Sequence, residues 1–128
     1  MGRPKRSRVG FTLIELLVVL AIVALLLTLA APRYFGSIDR SKDLVLKENL
    51  KVFRELLDKF NADQGRFPDR FEELVDKHYL KDLPIDPITE TDRTWVPVQS
   101  MDSERKGIVD VKSGAPGKTL EGKPYADL

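Results

Sequence analysis

Residues 10–32 read GFTLIELLVVLAIVALLLTLAAP, and one acid, Glu15, sits near the start of a run otherwise suited to lipid. Between Phe11 and Ala31 the polar side chains are Thr12, Glu15 and Thr28, and a threonine hydroxyl can bond back to its own helix. Coiled as an α-helix, these 21 residues extend about 31 Å, close to the roughly 30 Å hydrocarbon thickness of a bilayer. The run is long enough to span. A carboxylate in hydrocarbon costs several kcal/mol, so an acid placed there is a functional question with a partner to be named.

Upstream of the run lie Arg3, Lys5, Arg6 and Arg8. Basic residues ahead of a span hold that end on the cytoplasmic side, which sends the carboxyl-terminal part across the membrane. The whole chain carries 21 basic and 20 acidic side chains; without the leading four the balance is 17 to 20, a net charge of −3. A basic cluster that is short, terminal and free of interleaved aromatics gives no footprint for nucleic acid. With no cysteine among 128 residues, disulfides, thiolate metal sites and cysteine nucleophiles are excluded, and the length suits one domain with a small core. Leu29-Ala30-Ala31-Pro32 also admits a cleavable export signal, but the run is longer than a usual signal core and Glu15 lies near its start. A plain signal anchor accounts for the length and leaves the acid unexplained. Pro32 deletes one helical hydrogen bond, so the sequence predicts either a kink or local melting there, or the end of the membrane helix. Gly36 is the only later breaker before Gly65, which lets the helix resume.

Beyond Pro32, Leu46, Leu50, Phe53, Leu57 and Phe60 follow one another at spacings of four and three, the signature of an apolar helical stripe. Ile38 extends it. Lys47, Glu48, Lys51, Arg54, Glu55, Asp58 and Lys59 populate the other faces as a solvated surface, and the stripe is expected to pack on the domain's own small sheet. Asn61-Ala62-Asp63-Gln64-Gly65 is a helix stop. A short second helix over 69–80 follows from Phe71, Leu74, Val75 and Leu80, with Asp69 as its cap or first-turn acid. Leu83-Pro84-Ile85-Asp86-Pro87 reads as a rigid turn. Thr94 to Val98 and Gly107 to Val111 read as strands of an antiparallel hairpin turning around Gln99 to Lys106, the first confined to an edge or bulged position by Pro97.

A catalytic constellation is missing from this pattern. His78 is the single histidine and falls on the expected short helix as a surface residue. Glu72 and Glu73 are adjacent on that helix and point in different directions, so they form no acid–base pair. No glycine-rich phosphate loop or metal-ligand spacing occurs. The chain is not read as an enzyme.

Arg8-Val9-Gly10-Phe11-Thr12-Leu13-Ile14-Glu15-Leu16-Leu17-Val18-Val19-Leu20-Ala21-Ile22 is similar to the amino-terminal signature of type IV pilins and of the pseudopilins of type II secretion systems. Asn61 to Pro68, Leu83 to Pro87, Asp110 to Gly114 and Gly122 to Asp127 resemble the major pseudopilin group. The resemblance implies a type IV pilin-like α+β fold: a helix whose first half is transmembrane and whose second half is amphipathic, packed on a small antiparallel sheet. It divides the chain into a basic leader (1–10), a transmembrane and assembly helix (11–31) and a soluble domain (32–128) with an amphipathic helix over 33–62, a short helix over 69–80, and strands and loops over 93–128. It also implies cleavage between Gly10 and Phe11 by a membrane-embedded prepilin peptidase, N-methylation of Phe11, and assembly with other copies of the chain. Further implied partners are minor pseudopilins and an inner-membrane platform.

Residence in the inner membrane, with the soluble domain periplasmic and later part of a periplasmic filament, completes the implied picture. Cleavage makes Phe11 an ammonium, and Glu15 lies one helical turn away. Pairing within one chain is possible, and pairing with the next protomer would turn the penalty of a lone buried acid into a selector for register. The plainer role for Glu15 is snorkelling to the interface. Proteins of this kind serve in secretion or, alternatively, in pili for adhesion, motility or DNA uptake; a membrane-anchored binding domain that never polymerises is a third possibility. The resemblance further implies no cofactor beyond a calcium ion in the carboxyl-terminal loop. Calcium takes six to eight oxygen ligands, whereas this loop offers Glu121, Asp127 and the terminal carboxylate, with Asp110 nearby and Lys118 and Lys123 interspersed. A hydrogen-bonded glycine-rich loop is the alternative.

Overall fold

The computed structural model describes Gly2 and residues 10–128; the basic side chains Arg3 to Arg8 lie outside the described residues. The chain divides into two compact units, Met1–Ser37 and Ile38–Leu128.

Helix α1, Leu13–Gln64, begins in the first unit. Its apolar part fits membrane length and composition, and none of its most apolar stretch is buried within the protomer. Pro32 lies inside α1, and the helix assignment is unbroken across both it and Gly36. The proline withholds the N–H that the Thr28 carbonyl would otherwise receive. One turn earlier the Thr28 hydroxyl donates to the Ala24 carbonyl at 2.8 Å, so this polar side chain is satisfied by its own helix.

In the second unit the stripe is where its spacing places it. Leu46, Leu50, Phe53, Leu57 and Phe60 are all buried and form one cluster with Phe71, Leu74, Trp95, Ile108 and Val111. Phe53 is central: its ring meets Phe71 edge-on at 4.8 Å between centroids and Trp95 at 5.7 Å. Truncating a ring so enclosed costs about 3–5 kcal/mol. Helix α1 ends at Gln64, and Gly65 follows with φ +70°, its N–H donating to the Asn61 carbonyl. A left-handed glycine after the last turn is the favoured stop.

Helix α2 is Glu72–Asp76, shorter than the expected span over 69–80. His78 adopts φ +64°, and the N–H groups of Tyr79 and Leu80 both return to the Leu74 carbonyl. This left-handed closure ends the helix before His78, which is therefore exposed in the following turn and not on a helix. Asp69 is not the cap either. The Glu73 carboxylate reaches back to accept the Asp69 N–H at 2.8 Å and pairs with Arg66 at 2.8 Å. Because the acid inside the helix reaches the free N–H before it, Asp69 contributes its backbone and a 4.0 Å contact to Arg66.

Strands β1 (Trp95–Gln99) and β2 (Ile108–Ser113) form a two-stranded antiparallel sheet, with Trp95 opposite Ser113 and an irregularity between Val98 and Gln99. Both strands are edges, so Pro97 is tolerated. The hairpin returns against the Phe67-Pro68 segment: Ile108 N–H donates to the Pro68 carbonyl, and a Cβ on Gly107 would lie 2.7 Å from the Phe67 carbonyl oxygen. Gly107 has φ +120°, so both conformation and space call for glycine. The architecture is α+β: the amphipathic part of a long helix packs on a small antiparallel sheet.

Candidate functional site

At the start of α1, Thr12 and Glu15 form a reciprocal pair. The Thr12 hydroxyl accepts the Glu15 N–H at 3.1 Å, and Glu15 Oε2 accepts the Thr12 N–H at 3.4 Å. This is the capping-box arrangement, in which the residue before the helix and the third residue within it satisfy each other's free N–H groups. A Thr-x-x-Glu sequence ahead of an apolar run is its signal, and it was present in the sequence as Thr12-Leu13-Ile14-Glu15. The carboxylate is further favoured by the positive end of the helix dipole. Among the described residues the Thr12 N–H is the one donor to Glu15, and that bond is long. Gly10 is exposed with open space around it, and Phe11 is 86% exposed. Thr12 and Glu15 are thus paired at an accessible helix start with the exposed Phe11 just before them, and among the described residues the carboxylate takes no further bond.

A second group of polar contacts ties the carboxyl-terminal loop to α1. Asp43 is buried; one oxygen accepts the Tyr125 hydroxyl at 2.7 Å and the other the Leu120 N–H at 2.9 Å. Burial first, then the bond to Asp43 and the nearby carboxylates of Asp43, Asp39 and Asp86, push the Tyr125 phenol up to about 12. Eleven residues along the same helix, Arg54 donates from Nε to Asp110 Oδ1 at 2.7 Å and from Nη2 to the main-chain oxygens of Val111 (3.0 Å) and Leu128 (2.7 Å). Neither Asp43 nor Arg54 stood out in the sequence, where Arg54 read as one member of a solvated charged surface and Asp43 carried no signal.

These contacts bear on calcium. Asp110 is engaged by Arg54 and by the N–H of Val111. Glu121 is exposed and faces Lys47 at 3.6 Å, and Asp127 is exposed in the short 3-10 turn Tyr125–Asp127. No group of three or more His, Cys, Asp or Glu able to hold a metal occurs among the described residues. The Asp110 and Leu128 oxygens meet on the Arg54 guanidinium and not around an open position, so the donors do not fit calcium.

Asp86, within the rigid turn, is fully buried. It accepts the N–H of Ile88, a longer bond from Thr89, and the hydroxyl of Ser113 at 2.5 Å. It pins that turn to the end of β2.

Comparison with known proteins places these features. A family described as the prokaryotic N-terminal methylation motif matches residues 5–31. The chain is 33% identical over 142 residues to type II secretion system core protein G of Pseudomonas aeruginosa, covering 97% of this chain and 95% of that protein. It is 27% identical to the protein of the same name from Aeromonas hydrophila, covering 85% and 83%. Similarity to the type IV major pilin protein PilA of Myxococcus xanthus is 37% over 65 residues, covering 51% of this chain and 30% of the pilin. No solved structure matches the chain. With near-complete coverage at that identity, and with the methylation motif laid over the capped apolar helix, the chain belongs to the family of type II secretion system core protein G.

Proposed function

We infer that this chain is a structural subunit of the pseudopilus of a type II secretion system, a filament that drives protein export across the outer membrane. The observation that carries the reading is the apolar start of α1: it is unburied in the protomer, in a chain that aligns along almost its whole length with core protein G. Such a surface must be covered, first by lipid and then by neighbouring helices. The match to the pilin from Myxococcus xanthus reaches only half of this chain, so secretion is favoured over a pilus.

In this reading the chain is inserted in the inner membrane with its leader cytoplasmic and its soluble domain periplasmic. A prepilin peptidase cuts between Gly10 and Phe11, and Phe11 is then N-methylated. Gly10 suits the cleavage, because a residue without a side chain presents its backbone freely to a protease cleft. The released Phe11 nitrogen is an ammonium, and Glu15 has acceptor capacity beyond its bond to Thr12. The ammonium of an incoming protomer pairs with Glu15 of its neighbour, so neither charge stays alone in a low-dielectric environment. The relatives' structural character and the absence of a catalytic constellation in the sequence support a role without enzymatic chemistry. Mass spectrometry of the chain recovered from membranes tests the reading: the expected amino terminus is N-methylated Phe11, and an intact 1–10 segment would exclude the filament.

A further inference from the structure

We infer that the guanidinium of Arg54 is the cation that closes the carboxyl-terminal loop, and that this chain is therefore indifferent to calcium. The loop around Thr119 to Leu128 is held to α1 at two levels. Near its start Asp43 takes the Leu120 N–H and the Tyr125 hydroxyl. At its end Arg54 gathers oxygens from three places, Asp110, Val111 and Leu128. Positions 43 and 54 are three helical turns apart, which puts both side chains on the same face of α1.

Asp110 and the chain's last residue are among the oxygen donors a calcium ion would need here. They already bond a permanently charged, planar group whose donors point in fixed directions. A divalent ion entering this place would meet that positive charge within a few ångströms. Lys47 and Lys123 line the same cavity as Arg54, Leu50 and Leu128, so the surroundings repel a second cation. Asp43 is buried and holds the loop directly, each of its oxygens accepting one neutral donor from it. The arginine arrives with the fold and supplies the cross-link whatever the calcium concentration.

This inference is independent of the filament reading, and it is tested on the full chain in detergent. Thermal unfolding is followed by the fluorescence of Trp95, the sole tryptophan. The wild-type midpoint is expected to agree within about a degree in millimolar calcium chloride and in chelator. Hydrogen exchange supplies the second measurement. Arg54→Met is expected to speed exchange of the Leu120, Gly122, Tyr125 and Asp127 amides about tenfold, and calcium should not slow it again. Arg54→Lys should restore only part of the protection, because an ammonium lacks the planar fork. A calcium-induced rise of several degrees in the wild type would overturn the inference, as would unchanged loop exchange in Arg54→Met. If Arg54→Met fails to fold, the wild-type calcium comparison alone decides.

Discussion

Glu15 has one observed role, capping its own helix, and one that belongs to the proposed function. The cap runs through the Thr12 N–H at 3.4 Å; on the proposed reading, processing would offer Glu15 a stronger donor, the Phe11 ammonium of another copy. A charge-assisted bond is worth roughly twice a neutral one, so such a partner would be preferred to the Thr12 N–H. In the second unit the Tyr125 hydroxyl holds the loop to Asp43. Its raised pKa of about 12 fixes the sign of an alkaline effect. The folded chain holds the phenolic proton more tightly than the unfolded chain, so this stability is full below about pH 10 and is lost as pH rises towards 12. Tyr125→Phe should cost about 1–2 kcal/mol at neutral pH, because Asp43 loses a donor where it is buried. It should also flatten the fall in thermal midpoint above pH 10, read by Trp95 fluorescence against the wild type.

At the scale of elements, what the sequence made legible was what repeats locally. The stripe from Leu46 to Phe60 is set by the helical period, and burial follows it residue by residue. The hairpin was legible because strand-forming residues flank a polar turn, with Pro97 at an edge. The length of α2 was not, since nothing in Lys77-His78-Tyr79 announces that a histidine will take a left-handed conformation. The ties that fix the loops were equally hidden: Asp86 meets Ser113 across 27 positions, Arg54 meets Asp110 across 56, and Asp43 meets Tyr125 across 82. Such pairs arise from the packed fold and leave no periodic trace. Glu73 offers a test of the local capping that replaced the expected Asp69 cap. The hydrogen bond from Arg66 is the main cause holding its carboxyl below the ordinary glutamate value, helped by the Asp69 N–H and opposed by burial. Its contribution is therefore full above about pH 4.3 and lost as pH falls through its lower folded value. Glu73→Gln should remove that share of the acid sensitivity, seen as a smaller drop in thermal midpoint between neutral pH and about pH 3.

For the whole molecule, the governing fact is an apolar helix start that the protomer leaves uncovered. Leu13, Ile14 and Phe11 are each more than 70% exposed, so the chain is complete only in lipid or against other helices. In lipid the apolar surface is already satisfied, and close packing with polar contacts must supply the preference for neighbours. On the proposed reading Glu15 is the polar group that would do so. Losing one charge-assisted bond costs about 1.5–3 kcal/mol, a factor of roughly ten to a hundred in each subunit-to-subunit equilibrium, and that factor recurs at every addition. Glu15→Ala should therefore leave membrane insertion and the mature Phe11 terminus intact while abolishing sedimentable filaments. Glu15→Asp, with a shorter reach but the same charge, should assemble at an intermediate level. Measuring the amino terminus and the filament yield in the same cells separates a failure of processing from a failure of pairing, and filaments formed by Glu15→Ala at wild-type yield would remove the electrostatic step from assembly.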